Sequence, residues 1–283
     1  MRRLVLAMGL CLFLVPSSLR SQSQPEVSTD LKHDISPALR NISDSPSPIN
    51  IKHEHALRLT HDPQNLSLAP DPALQSSTGP FVSATTGLSF PGVGVGVNGT
   101  YSDCCAPPDT NGAAGATQFV QWVNVDFAIF DKSTGNLLKG PTAGNTLWSG
   151  FGGPCETRND GDPIAQYDKA AGRWVLAQPV FASPYMFCIA VSTTADATGA
   201  YNRYAFSMPN FPDYPKLGVW SDGYYASFNI FSGNSFSGAR ACAFDRSKML
   251  SGAAATMVCF QNSSSIASLL PSDLDGATAP PAG

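Results

Sequence analysis

The chain has 283 residues, enough for one large domain or two small ones. Only 13% are charged, while Gly (25) and Pro (23) are plentiful, which argues against long solvated helices and for many short strands joined by turns. The formal net charge of −4 gives no electrostatic basis for binding nucleic acid or anionic lipid.

In chain order, Arg2 and Arg3 precede an apolar run from Leu4 to Val15, followed by Pro16 and small polar residues to Ser21. This charged, apolar, small-residue order is that of a secretory signal peptide over residues 1–21, and the run is too short to anchor in a bilayer. The expectation is an exported protein, secreted or periplasmic, with no membrane insertion after signal cleavage. Residues 22–80 are rich in Ser, Pro, Asn and Asp without sustained periodicity, and read as a disordered extension. All four histidines lie there, and His53-Glu54-His55 reads as a solvated cluster.

From residue 81 the texture becomes that of strands. Phe81 to Phe90 and the Val93 to Val97 run read as short strands with Gly interruptions, and Ala106 to Gly112 as a strong turn. Phe119 to Phe130 is mostly alternating and β-branched or aromatic, splitting near Asn124 to Asp126. The stretch Cys155 to Trp174 predicts an acidic loop, a strand at Ile164 to Asp168, a turn, and a second strand opening on Arg173-Trp174.

A short motif recurs. Phe130-Asp131-Lys132 and Tyr167-Asp168-Lys169 are 37 residues apart, and Phe244-Asp245-Arg246 follows 77 residues later. Units of about 37–40 residues with several strands each are the signature of propeller blades, so the fold expected is all-β and β-propeller-like, with a β-sandwich as the alternative. Residues 81–283 supply about five such units at most. The last residues, Pro271-Ser-Asp-Leu-Asp-Gly, read like the opening of a further loop with no strand after it, which predicts a ring truncated at its C-terminus.

Removal of the signal would leave six cysteines. An even count in an oxidising compartment reads as disulfides, with 15 pairings open. Cys242 and Cys259 fall on consecutive predicted strands and are the favoured pair; Cys155 with Cys188 comes next. Adjacent Cys104 and Cys105 are too close to share a relaxed bridge with each other.

Four phrases carry a family resemblance: PPDTNGAAGATQFVQWVN, GNTLWSGFGGPCETRNDGDPIAQYDKAAGRWVL, FPDYPKLGVWSDGYY and GARACAFDRSKM. Together they resemble a group of uncharacterised secreted bacterial proteins similar to propeller-type, sialidase-like sheets, over residues 100–283. The resemblance implies export and a propeller. It implies no established activity, so no catalytic residue is carried over, and because such proteins are usually longer it agrees with truncation.

The candidate sites follow from residue chemistry. The region after residue 81 has no histidine, which removes Ser-His-Asp and Cys-His arrangements there. A glycosidase needs paired carboxyl groups, and Glu156 with Asp160 and Asp162 is the available set. A sialidase-like site would instead draw on Arg158, Arg173, Arg203 and Arg240, with Tyr214 or Tyr224 as nucleophile. Calcium is suggested by Asp109 with Asn111 and by Asp160 with Asp162, oxygen ligands at alternate positions beside a glycine; Asp273 and Asp275 repeat the spacing. The same residues also suit tight turns. Phe211, Tyr214 and Trp220, on a Pro-stiffened stretch, offer flat faces for sugar stacking or a partner chain; the alternative is that these rings fill the space between blades, as Trp122, Trp148 and Trp174 are expected to do between sheets. The function expected is a non-catalytic extracellular module binding a glycan or an extracellular protein; the alternative is a glycosidase- or sialidase-like hydrolase.

Overall fold

The computed structural model describes residues 24–45, 87–94 and 108–276, with residues 77, 79, 83, 85 and 278. The expected signal segment, Cys104, Cys105, His53, His55 and His61 lie outside the described residues. The described fold is all-β, built of three antiparallel sheets, none of them closed.

Each sheet is built on four strands consecutive in the chain, so each is a simple meander. Sheet one holds β3 (Thr110–Ala114), β4 (Gln118–Val123), β5 (Asp126–Asp131) and β6 (Leu137–Ala143). Sheet two holds β7 (Ile164–Asp168), β8 (Arg173–Val180), β9 (Met186–Ser192) and β10 (Tyr201–Ser207). Sheet three holds β11 (Phe211–Val219), β12 (Tyr224–Ser232), β13 (Ser235–Phe244) and β14 (Thr256–Gln261). The expected hairpin is present as β7–β8, with Tyr167 opposite Trp174 and Asp168 opposite Arg173.

Sheet two is the middle layer. Successive strand residues point to opposite faces, so a strand covered on both sides reads as a continuous apolar run. Trp174-Val-Leu-Ala and Met186-Phe-Cys-Ile-Ala-Val are such runs, and β9 is buried along its whole length. On one side Val175, Ala177, Phe187 and Ile189 pack with Leu217, Phe228, Ile230 and Phe244 of sheet three. On the other, Trp174, Leu176 and Ala190 pack with Val120, Trp122, Phe127 and Ile129 of sheet one. Trp122, Trp148 and Trp174 are fully buried in this second core, as expected for rings between sheets. The first strands of the meanders lie side by side, β3 next to β7 and β7 next to β11.

Two expected disulfides are formed. Cys155–Cys188 ties α1 (Pro154–Thr157) to β9, and Cys242–Cys259 bridges directly paired positions of β13 and β14. Their Cα separations of 5.9 and 4.1 Å are within or just below the usual disulfide range.

Three expectations need correction. Residues 24–45, read as part of a disordered extension, are ordered. They contain β1 (Glu26–Thr29), which pairs with β14, and β2 (Lys32–Ile35), which pairs with β10. Two strands separated only by Asp30 and Leu31 therefore clasp two different sheets. Low apolar content misleads here because the clasp buries few side chains: Val27, Leu31 and Ile35 are exposed. Its hold comes from ladder hydrogen bonds and from carboxylates delivered to buried arginines. Glu26 meets Arg240 at 2.8 Å, and Asp34 meets Arg203 at 2.7 Å.

The second correction is the 37–40-residue unit. Sheets begin at Thr110, Ile164 and Phe211, a wider spacing. The motif recurs in different places: after the third strand of sheets one and three, but after the first strand of sheet two. The third concerns the strands expected over residues 81–97. Their main described part, residues 87–94, runs as irregular chain against sheet one, with Val93 buried and Phe90 beside Phe130.

Candidate functional site

The β11–β12 connection is the tight turn Trp220-Ser-Asp-Gly223, closed by the Trp220 amide donating to the Gly223 carbonyl at 3.0 Å. Asp-Gly in the second half of a four-residue turn is favourable turn chemistry. Because neighbours on a strand face opposite ways, Tyr224 turns inward and is fully buried, while Tyr225 turns outward and is only half-buried. The residues opposite Tyr225 are Gly218 on β11 and Ala243 on β13, too small to crowd its ring.

A groove of about 460 Å³ opens on this outer face. Trp220, Asp222 and Tyr225 line it together with Ala241 and Cys242 of β13, and Leu269 to Ser272 form its other wall. Both Trp220 and Tyr225 are half-buried, while Asp222 is exposed. Burial raises the Tyr225 phenol above its ordinary pKa, and the nearby Asp222 carboxylate adds to the rise. The wall is a strap of chain laid across sheet three. The Ala239 amide donates to the Ile266 carbonyl, the Ser268 amide to Asn229 Oδ1, the Val219 amide to Asp273 Oδ1, and the Leu274 amide to the Val219 carbonyl. The strap crosses so near Gly218 that a Cβ there would run into the Ser272 carbonyl, so this position requires glycine.

The three aromatic residues considered for ligand contact, Phe211, Tyr214 and Trp220, are separated. Trp220 lines the groove. Phe211, at the far end of β11, stacks on Phe181 (ring centroids 4.6 Å) and meets Tyr185 and Phe231 edge-on, so its ring is used in packing. Tyr214 is exposed with φ 60° at the register shift between Asp213 and Lys216, and the Lys216 ammonium lies 3.4 Å from its ring centre. A strand of this length separates Phe211 from Trp220 by roughly 25–30 Å. Asp222 and Tyr225 did not emerge from sequence reasoning. The signal was the turn itself: the strand starts at Tyr224, right after Gly223, and alternation then turns Tyr225 outward.

The acid/base candidates are engaged in local structure. Glu156 accepts the Gly150 and Gly152 amides at 2.8 and 2.6 Å, one on each carboxylate oxygen. The Asp160 side chain is buried, paired with Arg158 at 3.3 Å and accepting the Phe181 amide at 2.8 Å. Asp162 takes a left-handed backbone with φ 48°. The four arginines considered for a carboxylate-binding cluster have separate partners: Arg158 has Asp160, Arg203 has Asp34, Arg240 has Glu26, and Arg173 donates to the Ala171 and Gly172 carbonyls.

Tyr224 is likewise no activated nucleophile. Its hydroxyl donates to Asp168 at 2.9 Å, and burial together with that carboxylate pushes the phenol far above its ordinary pKa. Asp168 is fully buried and also takes two bonds from Arg246 (2.7 and 3.1 Å) and one from the Ala171 amide. This knot joins sheet two to sheet three.

The acidic loops expected to hold calcium do meet. Asn124 donates to Asp109 at 2.9 Å and its side-chain oxygen lies against Gly161, beside Asp160 and Asp162. Asn111 accepts the Ala165 amide at 2.9 Å, and Asp273 is committed to Val219. Among the described residues, no group of three or more His, Cys, Asp or Glu side chains is placed to hold a metal ion.

Fold and site together define an all-β, disulfide-bonded protein with an aromatic groove on the outer face of one sheet. No family model, no curated protein and no solved structure matches the chain.

Proposed function

We propose that the protein is an exported, non-catalytic β module that binds glycans in the groove between Trp220 and Tyr225. The observation that carries this is the groove itself: about 460 Å³, with two half-buried aromatic rings and one exposed carboxylate on its rim. Flat rings with a few polar groups are what the apolar face and hydroxyl edge of a pyranose require. The engagement of Glu156, Asp160 and Tyr224 in local structure favours binding over hydrolysis.

Export is supported by the signal-like N-terminus and two disulfides; among the described residues no helix is long and apolar enough to cross a membrane. A propeller-like arrangement is the finer fold reading. Three consecutive four-stranded meanders, stacked face to face with their first strands adjacent, support it over a two-layer sandwich. It also agrees with the resemblance to secreted sialidase-like propellers.

The test is a glycan panel probed with the oxidised protein and with Trp220→Ala. Binding weakened at least tenfold by the substitution, with an unchanged melting temperature, is the expected result. A panel with no binder, or a Trp220→Ala protein that binds as well as the parent, overturns the reading.

A further inference from the structure

We infer that the groove selects glycans bearing protonated amino groups, of the kind found in β-linked glucosamine oligomers, over acetylated and acidic glycans. This rests on the glycan-binding reading above and concerns only which sugars that site prefers.

The argument is one of charge. Among the described residues lining the groove, Asp222 is the only charged one. Its carboxylate is exposed at the rim beside both rings, where it can accept hydrogen bonds from a ligand. A sugar seated on Trp220 or Tyr225 therefore meets an anion at its edge, and an ammonium there gains a charge-assisted hydrogen bond. An ammonium next to an aromatic face gains a cation–π attraction as well. Sialic or uronic acids meet the opposite situation, an anion against an anion with no cation in the lining to answer it.

Arg246 reaches the Ser221 carbonyl, next to Asp222, at 3.2 Å. Two of its nitrogens are held by the buried Asp168, so its charge is answered before it could serve a ligand. Acetylation of the sugar removes the charge and adds bulk, so the N-acetyl form keeps ring stacking but loses the ionic contact.

The experiment is calorimetric titration of the whole oxidised protein with three tetramers: glucosamine, N-acetylglucosamine and galacturonic acid, at a slightly acidic pH where the amine is charged. The glucosamine tetramer is expected to bind about fivefold tighter than the acetylated one, the size of a favourable exposed ion pair, and the uronate weakest. Asp222→Asn should abolish the preference for glucosamine, the glucosamine tetramer losing about fivefold more affinity than the acetylated one. Raising the pH until the amine is neutral should do the same to the parent. Equal or tighter binding of the acetylated or uronate tetramer, or a preference that survives Asp222→Asn, overturns the inference while glycan binding stands. Loss of all three with Trp220→Ala is the signature of the site itself; absence of binding to any tetramer and to the wider panel removes the underlying reading instead.

Discussion

Replacing Asp34 by Ala tests whether the N-terminal clasp holds the sheets through charge. Arg203 is on the middle sheet with its side chain 2% exposed, and its guanidinium donates to both Asp34 oxygens at 2.8 and 2.7 Å. It also donates to the Leu147 and Ser149 carbonyls and lies over the Phe151 ring. Removing one partner of a fully buried pair costs about 3–5 kcal/mol, because the other charge is left uncompensated. Asp34 is about one-third exposed (32%) and the carbonyls remain, so the expected loss falls to about 2–3 kcal/mol. In urea unfolding this lowers the midpoint by roughly 1 M with an unchanged slope. A second variant separates charge from packing: Asp34→Ala with Arg203→Met removes both charges and should regain most of the loss. An Asp34→Ala protein within about 0.5 kcal/mol of the parent would refute the argument, since that is the range of ordinary surface substitutions.

Four further outcomes follow from the same geometry. Glu26 is held below its usual pKa of 4.5 chiefly by its bond from Arg240, and Asp131 below 3.8 by bonds from Ser133 and Thr134. Asp196 and Asp245 also end below 3.8, burial pushing each up but hydrogen bonds and nearby cations outweighing it. Depressed carboxylates stabilise the fold above their unfolded pKa, so the urea midpoint should hold at neutral pH and fall as pH drops through 4.5 and 3.8; a flat profile to pH 2.5 contradicts this. Removing Cys242–Cys259, whose residues are 17 apart, by double substitution to Ala should cost about 3 kcal/mol in the same assay. Tyr224→Phe leaves Asp168 with Arg246 and the Ala171 amide but one bond fewer, an expected loss of about 1–2 kcal/mol without effect on glycan binding. Because Asp109, Asn111, Asp160 and Asp273 already have protein partners, the thermal midpoint should be the same in calcium and in a chelator; a clear fall in chelator would restore those loops as an ion site.

The all-β class, the three buried tryptophans, the β7–β8 hairpin and the favoured Cys242–Cys259 disulfide could be read from the sequence, because each is written in local pattern or spacing; Cys155–Cys188, the second-ranked pair, is formed as well. The sheet spacing could not. Aromatic-Asp-Lys/Arg marks a place where a carboxylate caps the chain leaving a strand, a need that arises at any such turn. Asp131 takes the Ser133 and Thr134 amides, Asp168 the Ala171 amide, and Asp245 the Lys248 amide. In sheet two the third-strand turn is capped instead by Asp196, which takes the Thr198 amide and has no flanking aromatic to announce it. The motif therefore repeats turn chemistry rather than sheet position. At the site, proline spacing put Phe211, Tyr214 and Trp220 on one stretch, but the register shift at Asp213–Lys216 and the length of β11 separate them.

The same bookkeeping of charge explains why a polar, apolar-poor segment orders at all. A scaffold with so few charged residues still carries cations inside it: Lys139, Arg203, Arg240 and Arg246 have side chains no more than 14% exposed. Buried cations need carboxylates, and three of these four take theirs from the N-terminal segment: Lys139 from Asp44, Arg203 from Asp34 and Arg240 from Glu26. Residues 26–44 are thus the counter-charge of the sheets as well as their edge strands, which a measure of hydrophobicity does not register. With the interior charges answered in this way, Asp222 stands apart as an exposed carboxylate set beside two half-buried rings, where its charge faces whatever enters the groove.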